Sequence, residues 1–281
     1  MNPFPIIDIN DYDLSGGGAF AESYIRKDNP EILLKVYPHQ YEFLVLDEFD
    51  RASKAYQIGV PCPEPGELVQ TGDGRVGIQF KRIIGKISYA RATANHPERA
   101  EEYAAEFAGM CKRLHSIKPL SGLFPTTKEQ YSTLINENGH LSVQEKDALV
   151  RFIQDLPDGN TAVHGDLHFG NAIFTEQGNR YFIDLGEFTT GTPLFDLGIV
   201  MRQTYMINDQ NVHELYHMEK ATAMAFWNCF VAHYFGPDVP MKEVVELLEP
   251  YHYLRGLTVE FVMGRYYQDH RPFIQKIMER Q

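Results

Sequence analysis

Two short stretches carry the strongest signal in this sequence: HGDLHFGN at residues 164–171 and IDLG at residues 183–186. Two strand-like segments of equal length, 172–175 and 180–183, join them. The simplest register predicts that these segments form an antiparallel hairpin with the four-residue loop 176–179.

Three polar side chains converge on this predicted hairpin. Asn171 and Asp184 face each other at its open end, roughly 5 Å apart, so an amide oxygen and a carboxylate can share one hard cation such as Mg²⁺. Asp166 lies in the loop that enters the same hairpin. Phosphoryl transfer uses such a set: metal ions on the phosphates, a carboxylate aligned with the attacking hydroxyl, and a glycine-rich loop over the phosphates.

The N-terminal part supplies the remaining requirements. A glycine-rich turn, Gly16–Gly18, precedes the apolar run 32–37, which contains the charged residue Lys35. A lysine inside an apolar run needs a partner. On the helix that follows, Glu48 lies beside the apolar stripe while the other charged side chains occupy the polar face. Glu48 is therefore the predicted partner of Lys35.

The pattern of elements changes near Gly85. Before it, alternating β-type runs, glycine-containing turns and one helix over residues 41–56 predict a small β-rich part. After it, helical periodicity dominates, with two short strands returning near residues 161 and 172 and continuous helix predicted over 212–235 and 241–263. The composition predicts one β-rich domain followed by a larger, mainly helical one.

This order of motifs resembles the aminoglycoside phosphotransferase and choline kinase-like family, distant relatives of the protein kinases. The resemblance covers roughly residues 15–198. The motifs that carry it are, in order, Gly16, Gly17 and Gly18, Lys35, Glu48, Leu114-His115, the loop 164–171, Asp184 and Asp196.

The resemblance implies a role for each matching residue. Asp166 would be the catalytic base, Asn171 and Asp184 would hold magnesium, and Lys35 with Glu48 would position the α- and β-phosphates.

Further roles follow from the same resemblance. The Gly16–Gly18 loop would cover the nucleotide, the segment 79–83 with Phe80 and Arg82 would be the hinge that carries the base, and Asp196 would brace the catalytic loop. Two features depart from protein kinases: the glycines lack the spaced G-x-G-x-x-G pattern, and Leu185 replaces the phenylalanine of the metal motif.

The implied fold is α+β and two-lobed, protein kinase-like, with a nucleotide-binding lobe over residues 1–83 and a catalytic and acceptor-binding lobe over 84–281. The implied activity is transfer of the γ-phosphoryl group of ATP (or GTP), with Mg²⁺, to a hydroxyl of an aminoglycoside, sugar or amino alcohol. No motif after Gly198 identifies the acceptor.

Two other functions remain open. A protein kinase would carry a long activation segment ending in Ala-Pro-Glu, whereas only residues 187–192 separate Gly186 from Pro193. A nucleotide-binding pseudokinase scaffold would normally have lost the base, a metal ligand or the lysine, all of which are present.

Charge and cysteine content limit the partners and the compartment. The formal net charge is −12 with no basic block, which disfavours nucleic acid. The three cysteines Cys62, Cys111 and Cys229 lie far apart and predict free thiols in a reducing compartment. The start lacks a basic signal region, and the most apolar stretch, 221–235, is too short to cross a bilayer. We therefore expect a cytoplasmic protein without a membrane partner.

Three features have a functional interpretation beside a structural one. His164 and His168 flank Asp166 at a spacing that could serve zinc, although the neighbouring glycines argue against the helix this requires. An aromatic stripe on the helix 212–235 could cage a quaternary ammonium, but core packing explains it as well. Four C-terminal glutamates could bind an amine-bearing sugar: Glu243, Glu246, Glu249 and Glu260. We favour the structural interpretation, in which they form a solvated helix face.

Overall fold

The computed structural model describes residues 4–17, 20–262 and 270–279, with side chains omitted at 260–262. The strands are β1 (Ile6–Ile7), β2 (Tyr12–Gly17), β3 (Glu22–Arg26), β4 (Ile32–Val36), β5 (Pro65–Thr71), β6 (Val76–Lys81), β7 (Lys86–Ser88), β8 (Thr161–Val163), β9 (Ala172–Thr175), β10 (Arg180–Phe182) and β11 (Thr189–Gly191). The helices are α1 (Phe43–Gln57), α2 (Tyr89–Asn95), α3 (Ala100–Leu114), α4 (Thr127–Glu137), α5 (Val143–Asp155), α6 (Leu194–Met201), α7 (Asp209–Tyr216), α8 (Lys220–Phe235), α9 (Met241–Val262) and α10 (Arg271–Met278). An N-terminal sheet is followed by a mainly helical part, which confirms the α+β class.

The chain divides into two compact units. Unit 1 comprises residues 1–88 and 171–188, and unit 2 comprises 89–170 and 189–281. The predicted functional division after residue 83 stays a prediction. The hairpin that follows the 164–171 loop thus belongs to the same unit as the N-terminal sheet.

Unit 1 is built on a six-stranded sheet with the order β1-β5-β6-β4-β3-β2. Alternation along β4 sends Leu34 and Val36 to one face, where both are fully buried. Lys35 points to the opposite face, where Tyr37 and Ile78 pack with α1. The sheet therefore brings the lysine to the helix that carries Glu48.

The hairpin of β9 and β10 is present, but its predicted register is wrong by one residue. Phe182 pairs with Ala172, and the Ile183 N–H donates to the Asn171 carbonyl at 2.9 Å, so Asn171 lies opposite Ile183 rather than Asp184. The cause is the turn: Gly178 has φ +81°, which closes a three-residue loop instead of a four-residue one.

Asp184 itself leaves the extended conformation, with φ +61°. Aspartate tolerates this left-handed region better than most side chains because its short polar group can bond locally. The chain therefore turns immediately after β10, at the residue that the resemblance implies to be a metal ligand.

Unit 2 is held together by two helix pairs, α3 with α8 and α6 with α9. At Gly198 on α6, a Cβ would lie 2.5 Å from the Cβ of Tyr251 and 3.0 Å from the backbone nitrogen of His252, both on α9. These two helices therefore pack at backbone distance, and any larger residue at 198 would force them apart.

Local signals explain several helix ends. Thr126 and Ser142 begin α4 and α5 with reciprocal capping boxes to Glu129 and Glu145. The continuous helix predicted over 212–235 is wrong, since α7 ends at Tyr216, its capping residue His217 has φ +55°, and α8 begins at Lys220. The Lys220 ammonium instead donates to the carbonyls of residues 204, 205 and 207, at the end of a π-helical turn over Arg202–Met206.

Within the described ranges, none of the helices combines the length and the apolar character that crossing a membrane requires.

Candidate active site

Lys35 lies at the centre of the polar site in unit 1. Its Nζ is 2.7 Å from Glu48 Oε1, 3.0 Å from Glu48 Oε2 and 2.8 Å from Asp184 Oδ1. The side chains of Lys35 and Glu48 are 18% and 9% exposed, so solvent screens this pair only weakly. The predicted partnership of Lys35 and Glu48 is present, and Asp184 joins it.

This arrangement keeps Lys35 charged. Burial alone lowers the pKa of Lys35, but the carboxylates of Asp184 and Glu48 outweigh burial and raise the pKa well above its usual value. The lysine therefore presents a permanent positive charge at physiological pH.

Tyr37 is a member of this site that the sequence reasoning missed. Its hydroxyl donates to Glu48 Oε2, and burial together with the adjacent Glu48 raises the tyrosine pKa despite the nearby Lys35. Gly186 backs the same carboxylate, since a Cβ there would lie 3.3 Å from Glu48 Oε2. Tyr37 follows Lys35 by two residues, so strand alternation places both on one face, a signal that was available in the sequence.

Asn171 and Asp184 supply the oxygen donors that suit magnesium. Asn171 is buried and pairs with the residue before Asp184, while the Asp184 side chain is 47% exposed. In the described part of the chain, no three His, Cys, Asp or Glu side chains group closely enough to hold a metal. Mg²⁺ does not need such a cage, since it uses one or two protein oxygens and takes the rest from phosphates and water. The donor set fits magnesium, and both residues keep this role as a prediction.

The glycine-rich turn lies at the tip of β2 and β3. Gly16 and Gly17 pair with Ser23 and Glu22 after a register shift, whereas Gly18 lies outside the described residues. A Cβ on Gly16 or Gly17 would meet no described atom within 4 Å. The described atoms therefore leave room for a side chain at these two positions, and close approach of a ligand is one reason for glycine there.

The segment 79–83, predicted to be the hinge, begins within β6 and extends beyond the end of that strand at Lys81. Phe80 pairs with Leu33 of β4 and Pro65 of β5, so it sits in the middle of the sheet. The Arg82 backbone N–H donates to Glu31 and its guanidinium donates to the Pro30 carbonyl at 3.1 Å. Phe80 and Arg82 are thus engaged by the sheet and by the loop before β4, and their contact with a nucleotide base stays a prediction.

In unit 2, Asp196 holds the start of the loop that begins at His164. Its Oδ2 accepts the His164 backbone N–H at 2.7 Å and its Oδ1 accepts the Gly165 N–H at 2.9 Å, in a fully buried position. His115 Nε2 lies 3.1 Å from the same Oδ2, and Tyr234 contacts His115 Nδ1 at 2.8 Å. The bracing contact expected of Asp196 is present.

Asp166 lies two residues further along this loop, with its side chain 29% exposed. Arg255 Nη2 on α9 contacts Asp166 Oδ1 at 2.8 Å, and His168 Nε2 lies 3.9 Å from Oδ2. Arg255 is a second residue that the sequence reasoning missed, because no local pattern connects it to a loop 89 positions earlier.

The structural interpretations of the aromatic stripe, of three of the four glutamates and of His164 are supported. Phe226, Trp227 and Phe230 of the aromatic stripe are fully buried and pack against Phe107 of α3 and within α8, which makes them core. Glu243 and Glu246 are exposed and Glu249 is half-buried, as on a solvated face, while the side chain of Glu260 lies outside the described residues. His164 is fully buried, and its Nδ1 accepts the Asp166 backbone N–H at 3.3 Å, a structural contact.

Together these features define a class. An N-terminal sheet whose lysine pairs with a helix glutamate, followed by an H-x-D-x₄-N loop braced by a buried aspartate, is the protein kinase-like fold. The chain belongs to the phosphotransferase enzyme family, APH, whose sequence pattern matches residues 13–222. The resemblance seen in the motifs is thereby confirmed. No curated protein sequence matches the chain significantly.

Solved structures share this fold at low sequence identity. A thermostable mutant of aminoglycoside phosphotransferase APH(4)-Ia, in a ternary complex with ADP and hygromycin B, is 13% identical with a TM-score of 0.63, covering 96% of this chain and 92% of that one. APH(3'')-Id from Streptomyces rimosus is 19% identical with a TM-score of 0.59, covering 88% and 92%. The amicoumacin kinase hAmiN, in complex with AMP-PNP, Ca²⁺ and Ami, is 14% identical with a TM-score of 0.58, covering 98% and 89%. At these identities the likeness shows the fold alone.

Proposed function

We propose that this protein transfers the γ-phosphoryl group of a nucleoside triphosphate, ATP or GTP, to a hydroxyl group of a small molecule such as an aminoglycoside, a sugar or an amino alcohol. The observation that carries the proposal is the contact of Lys35 with both Glu48 and Asp184, which joins a phosphate-binding cation to a metal-binding carboxylate. Membership in the phosphotransferase family supports it.

In the proposed reaction each residue has one task. Lys35, oriented by Glu48, binds the α- and β-phosphates, and the loop with Gly16 and Gly17 lies over them. Asn171 and Asp184 hold Mg²⁺, which when bound neutralises charge on the β- and γ-phosphates. Phe80 and Arg82 border the base.

Asp166 acts on the acceptor. Its carboxylate accepts the proton of the acceptor hydroxyl as that oxygen bonds to the γ-phosphorus, and the bond from phosphorus to the β-bridging oxygen breaks, releasing the nucleoside diphosphate. Phosphate, charge and proton are balanced with no further reactant.

We also propose a cytoplasmic location. All three cysteines are free thiols, two of them buried, which suits a reducing compartment.

A coupled assay of nucleoside diphosphate release, ADP from ATP and GDP from GTP, tests the function over a panel of aminoglycosides, sugars, amino alcohols and peptides. We expect a small-molecule acceptor to stimulate release. Asp166→Asn should lower kcat by roughly 10²- to 10⁴-fold while nucleotide affinity stays within a few fold. Peptide-only stimulation would favour a protein kinase, and tight nucleotide binding without turnover of any acceptor would favour a scaffold.

A further inference from the structure

Arg255 links α9 to the loop that carries Asp166. Its Nη2 lies 2.8 Å from Asp166 Oδ1, and its side chain is only 8% exposed. Both residues belong to unit 2. A guanidinium this deeply buried is costly to hold unless it is paired, so its presence within α9 calls for an explanation.

The position of Arg255 is fixed by the packing of α9. Three to four residues earlier, Tyr251 and His252 pack directly on Gly198 of α6 at backbone distance. The neighbouring Gly256 leaves room for His270 and Arg202, since a Cβ there would lie 1.9 Å from His270 Nε2. The guanidinium therefore starts from a backbone that has little freedom to shift.

His252, three residues before Arg255 on α9, contacts Arg202. His252 Nδ1 lies 3.4 Å from Arg202 Nη1, and burial, reinforced by the charge of Arg202 and by His270, lowers the pKa of His252 to about 3. His252 is accordingly neutral at physiological pH. Of these two residues on one face of α9, only Arg255 brings a charge to Asp166.

The second oxygen of Asp166 has different surroundings. His168 Nε2 lies 3.9 Å from Oδ2, while His168 Nδ1 accepts the Gly170 backbone N–H at 3.0 Å. Because Nδ1 is an acceptor, the ring proton of neutral His168 is on Nε2, facing the carboxylate. Tyr216 packs beside His168 and donates to Gln203 at 2.9 Å. The two oxygens of Asp166 are thus distinguished, one on the arginine side and one on the histidine side.

We propose that Arg255 is a positioning residue for phosphoryl transfer: its guanidinium holds one oxygen of Asp166 and so keeps the carboxylate in a single orientation while it accepts the proton of the acceptor hydroxyl. This inference rests on the proposed function. Arg255 acts through Asp166, and the nucleotide contacts are assigned to unit 1. Its loss should therefore affect kcat far more than the KM for nucleotide.

Three variants test the proposal in the full chain. Arg255→Met should lower kcat by about 10²-fold with the KM for ATP unchanged, as expected for a misplaced catalytic group. Arg255→Lys keeps a charge near Oδ1 and should recover part of the rate. Arg271→Met is the matched control, because Arg271 also pairs with a carboxylate of unit 2, Glu145, and should leave kcat unchanged.

A double variant separates positioning from structural support. If Arg255 works through Asp166, then Arg255→Met should cost little additional rate in an Asp166→Asn background. A full additional loss there would overturn the proposal. A wild-type kcat in Arg255→Met, together with a strongly lowered kcat in Asp166→Asn, would also overturn the proposal. That result would leave the proposed function intact. A wild-type chain that phosphorylates no acceptor would overturn the function, and this inference with it.

Discussion

Lys35 is the cation shared by two carboxylates in unit 1. It contacts two carboxylates at 2.7 and 2.8 Å, while Tyr37 donates to one of them. Removing the lysine leaves Glu48, 9% exposed, without its cation. Breaking a buried pair on one side is costly because the remaining charge has lost its solvent and its partner.

Lys35→Met should therefore lower the free energy of unfolding by about 3 kcal/mol in urea titrations at pH 7. The control is Lys54→Met on α1, the helix that carries Glu48, because its partly exposed i,i+4 pair with Asp50 should contribute at most about 0.5 kcal/mol. Equal effects of the two substitutions would contradict this account of Lys35.

The pH dependence of that difference has a definite sign. A lysine whose pKa is raised on folding contributes its full stabilisation below its unfolded pKa of about 10.4 and loses it only as the pH rises through the folded value. The difference between wild type and Lys35→Met should thus be constant from pH 7 to pH 9. A steady decline over that window would argue against a raised pKa.

Asp184→Ala tests the metal role. We expect calorimetry to show that Mg²⁺ no longer strengthens ATP binding, because the carboxylate that would share the cation with the phosphates is gone. Asp50→Ala, an exposed carboxylate of the same unit, should keep the wild-type dependence. The same magnesium effect in Asp184→Ala as in wild type would exclude this role.

At the scale of elements, the sequence predicted most strands and helices but not the details set by single turns. The apolar run 32–37 and the helix predicted over 41–56 are present as β4 and α1, since burial of one face is a local pattern. The hairpin register was wrong because equal strand lengths do not reveal which residue of the loop adopts the left-handed conformation, here Gly178. The break at His217 in the helix predicted over 212–235 was missed for the same reason, because the sequence pattern does not show which residue adopts the left-handed conformation.

Site residues divide in the same way. Lys35 and Glu48 could be paired from sequence because a charge in an apolar strand and an acid beside an apolar stripe each need a partner. Arg255 could not, since its contact with Asp166 depends on how α6 and α9 pack. Tertiary packing between distant segments leaves no periodic trace in the chain.

Gly17→Ala tests the β2–β3 turn. The added methyl group meets no described protein atom within 4 Å, so the melting temperature should be unchanged or slightly raised. The KM for ATP should rise roughly tenfold if the backbone must approach the phosphates closely. Gly72→Ala, in another open turn of the same sheet, should change neither. An unchanged KM in Gly17→Ala would remove this turn from the nucleotide site.

At the scale of the whole molecule, unit 1 is discontinuous in sequence. Its strand β7 pairs with β9, and Ser88 lies opposite Ile173, although 82 residues of unit 2 lie between 88 and 171. The N-terminal 88 residues alone therefore lack the partner of β7 and the residue Asp184 that pairs with Lys35.

We expect a fragment of residues 1–88 to show no cooperative unfolding by circular dichroism. Joining residues 1–88 to 171–188 through a loop of about four residues should restore it, because Ser88 and Ile173 are already hairpin neighbours. Cooperative unfolding of equal midpoint in both chains would show that the hairpin is dispensable to unit 1.

The same interleaving bears on how such a gene can be recombined. The chain passes between the units at 88/89, 170/171 and 188/189, so a single crossover near codon 88 would deliver the six-stranded sheet with a foreign β9–β10 hairpin. Lys35 would then pair with an Asp184 from the other parent protein, and β7 would pair with the β9 strand of that protein. Exchange of the intact unit therefore requires that two separate segments of the gene, encoding residues 1–88 and 171–188, be transferred together.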